Sequence, residues 1–83
     1  MERTHVRRIG LPRRLPVRSG PDGSPAQVGG RTVEHVRDEW RVDEGWWSGH
    51  RLRRVYFDLV LDDGRDVVVF RDLDDGSWYG QRA

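Results

Sequence analysis

Between Val55 and Leu61 the chain alternates, with Val55, Phe57, Leu59 and Leu61 on one set of positions and Tyr56, Asp58 and Val60 on the other. A period of two is that of an extended strand with one face toward a core. Asp62–Asp63–Gly64–Arg65 follows, and Asp-Gly between apolar runs is a strong hairpin signal. Val67–Phe70 is then a continuous apolar run of strand length, continuing to Asp72. Asp74–Asp75–Gly76 repeats the Asp-Gly turn, and Ser77–Gln81 supplies a short last strand carrying Trp78 and Tyr79. These segments predict a three-stranded antiparallel meander.

Upstream the pattern is less regular. Val33, Val36 and Trp40 fall at a helical spacing, i, i+3 and i+7. Thr32, Val33, Val36, Trp40 and Val42 are nevertheless strand formers, and nothing before Thr32 makes a good helix N-cap. Arg31–Val42 is therefore read as a long bent strand, with a helix as the alternative. A bulge between Val33 and Val36 would turn Val33, Val36, Trp40 and Val42 inward together. Leu15–Arg18 and Pro25–Val28 predict two short strands around a Ser19–Ser24 turn, and Gly29–Gly30 a further break. Pro16 and Pro25 confine those strands to edges or to strand starts. Met1–Arg14 shows no period and contains Pro12, which reads as a flexible basic arm (1–14) ahead of one domain (15–83). The predicted class is mostly β: a small antiparallel sheet of five to six strands, or an SH3-like barrel, ending in the meander.

Composition narrows this further. Eighty-three residues suit one small domain, and with no cysteine there is neither a disulfide framework nor a thiolate metal site. Four Trp, two Tyr and two Phe must supply much of the core. No apolar run has membrane-spanning length and Met1–Gly10 lacks a signal-peptide core, so a cytoplasmic location is expected. Charge is uneven: Arg3, Arg7, Arg8, Arg13, Arg14 and Arg18 face only Glu2 in the first 18 residues, whereas Val55–Tyr79 holds seven Asp. An arm of this kind suits nucleic acid or an acidic partner, or folds back on the acidic half. All fifteen basic residues are Arg, which genome composition explains more simply than phosphate binding does.

Candidate chemistry is sparse. Asp62–Asp63 and Asp74–Asp75 invite a two-carboxylate reading, but both precede a turn glycine, where Asp is favoured for local hydrogen bonding. His5, His35 and His50 form no ligand spacing, and there is no nucleophile elbow or phosphate loop. The expectation is a non-enzymatic protein without cofactor or metal. What stands out is the aromatic and arginine density from Trp40 to Phe57. Adjacent Trp46 and Trp47 point to opposite faces if extended, so one serves the core and the other a surface. Trp46, Trp47, Arg53, Arg54 and Tyr56 are the candidate partner-binding residues, since Trp and Arg dominate interface hot spots. Arg7, Arg8, Arg13 and Arg14 are a secondary electrostatic element. Two rival readings are single-stranded nucleic-acid binding by a small barrel, using stacking and arginines, and a purely structural role for every Trp.

The same residues carry a resemblance. Trp40–Arg41–Val42, Trp46–Trp47, Arg54, Tyr56–Phe57, Leu61–Asp62–Asp63–Gly64, Phe70–Arg71–Asp72–Leu73 and Trp78–Tyr79 occur in the order seen in a small actinobacterial protein family. That order also resembles the C-terminal tail module of ImuB, the Y-family polymerase-like mutasome protein. The resemblance covers roughly residues 40–80. It departs at Ser77, where a basic residue is common, and the polymerase region is lacking. The resemblance implies an accessory or assembly factor in damage-induced translesion DNA synthesis, with a translesion polymerase or its accessory proteins as partner and possible DNA contact through the basic arm.

Overall fold

The computed structural model describes residues 12–45 and 52–81. These form seven strands: β1 Pro12–Arg14, β2 Val17–Ser19, β3 Pro25–Val28, β4 Arg31–Glu44, β5 Leu52–Leu61, β6 Asp66–Asp72 and β7 Trp78–Gln81. All neighbours are antiparallel, in the order β1-β7-β6-β5-β4-β3-β2. The sheet curls into a half-barrel. No helix long and apolar enough to cross a membrane occurs among the described residues.

The predicted meander is β5-β6-β7. Its turns follow from the Asp residues. Asp63 Oδ1 accepts the Arg65 backbone N–H at 3.0 Å, and Asp75 Oδ1 accepts that of Ser77 at 2.7 Å. The second carboxylate of each doublet thus shapes its hairpin, as its place before Gly suggested, while Asp62 accepts the Thr32 N–H and Asp74 pairs with Arg53. Gly29 and Gly30, at φ 55° and 85°, form the two-residue connection between Val28 and Arg31. Two successive positive φ values match the twist of a tight hairpin, which other residues adopt with strain.

Two readings of the sequence change, and the preferred reading of Arg31–Val42 as a long strand holds. Pro12–Arg14, assigned to the flexible arm, is a strand paired with β7, and it raises the strand number to seven. Arg31–Glu44 is one strand, so the helical spacing of Val33, Val36 and Trp40 is incidental. Trp40 does not enter the core; it is 40% exposed. Along β4 against β5 the partners run Val33↔Leu61, His35↔Val60, Val36↔Leu59, then Asp38↔Asp58. Glu34 and Arg37 are therefore each an extra residue. The first bulge lies where the sequence suggested and keeps Val33 and Val36 on one face. The second, at Arg37, sends Trp40 and Val42 to the other face, because a shift of one residue inverts every side chain beyond it. Arg37 reaches from the bulge to Asp58 at 3.2 Å and Asp66 at 3.4 Å.

The core occupies one face of the sheet. Val28, Phe57, Leu59, Leu61, Val69 and Trp78 are buried there, with Leu15, Val17, Val33, Val36, Val55 and Val67 packed against them. The rings of Phe57 and Trp78 meet with centroids 5.6 Å apart. The two ends of the sheet, β1 and β2, are consecutive in the chain and joined by Leu15–Pro16 alone. The Leu15 N–H donates to the Trp78 carbonyl at 3.0 Å, while the Pro16 carbonyl accepts from the Gly29 N–H at 2.9 Å. One dipeptide thus ties both ends together.

Candidate interaction face

The face opposite the core carries a row of four aromatic rings. Cross-strand register places Trp40 of β4 beside Tyr56 of β5, Tyr56 beside Phe70 of β6, and Phe70 beside Tyr79 of β7. Centroid separations are 5.2, 5.0 and 5.1 Å. Trp40 and Tyr56 are almost parallel, at 5°. Cross-strand aromatic pairs stabilise a sheet by up to about 1 kcal/mol each. The row has a graded exposure: Phe70 is buried, Tyr56 and Tyr79 are half-buried, and Trp40 is open.

Arg54 clamps the row. Its guanidinium lies 4.2 Å from the Phe70 centroid, and Nη1 donates to the Tyr56 hydroxyl at 3.0 Å. Its Nε is buried without a hydrogen-bond partner among the described residues; the ring face below offsets part of that deficit through cation–π attraction. At the other end, Tyr79 donates to Asp75 Oδ2 at 3.2 Å, and Arg14 donates to the Ser77 hydroxyl at 2.9 Å. The Ser77 backbone N–H, with help from the Tyr79 hydroxyl, holds the Asp75 carboxyl below the ordinary carboxylate range. Asp63 is lowered in the same way by the Arg65 backbone N–H.

Of the residues singled out in the sequence, Arg54 and Tyr56 meet in this row. Arg53 does not join them: adjacent strand residues face oppositely, and its Nη1 pairs with Asp74 at 3.3 Å. Arg13 and Arg14 lie on β1, both exposed. Trp46, Trp47, Arg7 and Arg8 lie outside the described residues. Sequence reasoning missed Trp40, Phe70 and Tyr79 as parts of one surface. Phe70 and Tyr79 were within reach, because the two Asp-Gly turns fix the meander register. Trp40 was not, since its face depends on the Arg37 bulge.

Asp38, Asp58 and Asp72 share the aromatic face through the same register. The surface is therefore aromatic with a mixed charge border. Among the described residues no group of three His, Cys, Asp or Glu is placed to hold a metal ion. The chain matches no family model, curated protein or solved structure.

Proposed function

We propose that the protein is a cytoplasmic, non-enzymatic interaction module that docks a protein partner on its aromatic face, with Trp40 as the anchor. The observation that carries this reading is the Trp40–Tyr56 stack: a large indole held flat by a partner ring, yet 40% exposed. A rigid, partly exposed Trp in a row clamped by a half-buried Arg is the composition of an interface hot spot. The translesion-synthesis setting rests on the motif resemblance, which includes Trp40, Arg54, Tyr56, Phe70 and Tyr79, all members of this row and its clamp. The partner would then be a translesion polymerase or one of its accessory proteins.

The test is binding of the purified protein to the purified sliding clamp, the C-family translesion polymerase and its accessory protein. Trp40→Ala should weaken binding to one of them by about 2 kcal/mol or more. Retention of affinity by that variant, or binding to none of the three, would defeat the reading. A second reading, single-stranded nucleic-acid binding, is favoured by the four-ring row, which offers a stacking platform. Asp38, Asp58 and Asp72 on the same face oppose it. A single-stranded oligonucleotide that bound with a steep loss of affinity in rising salt would reverse the order of the two.

A further inference from the structure

A groove of about 480 Å³ opens between β1 and the β3–β4 hairpin, away from the aromatic row. Leu15 and Val67 contribute to its apolar floor above the fully buried Val69, and Arg13, Arg31 and Arg65 line it beside the β1 position of Arg14. Arg13 and Arg14 belong to β1; Arg31 and Arg65 belong to the hairpin ends across from it. The arginines exceed their counter-charges. Arg31 lies 3.7 Å from both Asp62 and Asp63, and Arg65 lies 3.0 Å from Asp63. Arg14 turns to the aromatic face, where it bonds the Ser77 hydroxyl and its charge acts on Asp75, so it adds nothing to the groove; Arg13, opposite Gly80, has no ion pair among the described residues.

We propose that this groove binds an extended acidic peptide segment of a partner protein. One or two apolar side chains enter between the arginines, and carboxylates on either side of them pair with Arg13 on one lip and with Arg31 and Arg65 on the other. Size and charge select this occupant. The volume is of small-ligand scale, whereas a helix is about 10–12 Å across. A fatty acid or other single-headed amphiphile would use the arginines of one lip only. The chain's own first residues carry Arg3, Arg7 and Arg8, the same sign as the rim. A nucleic acid would find no aromatic ring to stack on among the described residues of the lining. Guanidinium groups bind carboxylates bidentately, so opposed lips also fix the peptide's direction and register.

The probe is a fluorescein-labelled peptide of two leucines flanked on each side by glutamates, followed by anisotropy against the full-length chain. Arg13→Glu should weaken binding about tenfold or more, and Arg65→Gln on the opposite lip severalfold. Arg18→Glu, on β2 outside the groove, makes the same change in net charge and should leave binding within about twofold. A version with glutamine in place of glutamate should not bind. Equal weakening by Arg18→Glu would show non-specific charge attraction and overturn the site. Displacement of the peptide by decanoate at matching concentration would assign the groove to a single-headed amphiphile instead. No binding by the wild-type chain at low salt would end the proposal, and because Arg13 is exposed, thermal melting of its variant separates lost binding from lost folding.

Discussion

Trp40 and Phe57 look alike in the sequence, each an aromatic within a strand pattern, and the fold uses them for opposite purposes. Phe57 is 5% exposed and packed on Trp78. Phe57→Ala should therefore cost about 3–5 kcal/mol in urea unfolding, the range for truncating a buried aromatic. Trp40 has lost much less water. Its replacement by Ala should forfeit the stack with Tyr56 and little else, about 1 kcal/mol. The same denaturation series separates the two, and a large loss for Trp40→Ala would mean that the aromatic face is a second core. Phe57 was readable from alternation because β5 itself alternates without an extra residue and pairs regularly with β6; both bulges lie on β4. Trp40 was misread because its orientation is a property of the β4–β5 register, which no local pattern encodes.

Strand β4 carries that lesson at the level of the element. The bend and the first bulge followed from the Val33–Val36 spacing, since two inward side chains three positions apart on a strand require one extra residue between them. Nothing comparable marks Arg37, whose side chain is an exposed ion-pair partner. One-residue deletions give a direct check. Removing Arg37 irons out the second bulge and leaves Trp40 opposite Tyr56, so stability should change by only about 1 kcal/mol, the scale of an exposed ion pair. Removing Asp58 from β5, where both neighbours pair regularly with β6, reverses the faces on one side of the deletion. That variant should not fold, as circular dichroism would show. The turns are a second element-level case. Asp63 and Asp75 have carboxyls held below the ordinary 3.8 by backbone N–H donors. Folding is therefore favoured by them above about that value, and the gain disappears as pH falls through the lower folded values. Asp75→Asn should flatten the acid limb of a stability–pH curve below about pH 4, without altering the neutral plateau's shape. Asp-Gly made both hairpins predictable, because turn chemistry is local.

At the scale of the whole molecule, the curl depends on a close approach that the sequence does not advertise. A Cβ placed on Gly80 would lie 2.6 Å from Leu15 Cδ1 and 3.3 Å from its Cγ. Leu15 belongs to the dipeptide joining the two ends of the sheet, so this contact sits at the seam. Gly80→Ala should destabilise by about 1–3 kcal/mol, as overpacking does. Combining it with Leu15→Ala should recover part of that loss in a double-mutant cycle; additive losses would place the strain elsewhere. The seam has another consequence, for the order in which the chain is made. β1 pairs with β7, Pro12 opposite Gln81, and pairing between positions so far apart is slow to form. A ribosome releases β1 first and β7 last of the strands, so β1 must wait, partnerless, until the others exist. A waiting strand is an invitation to neighbouring nascent chains. This one is three residues long, opens with proline and carries Arg13 and Arg14, the features by which a bare edge repels a stranger until its own partner arrives.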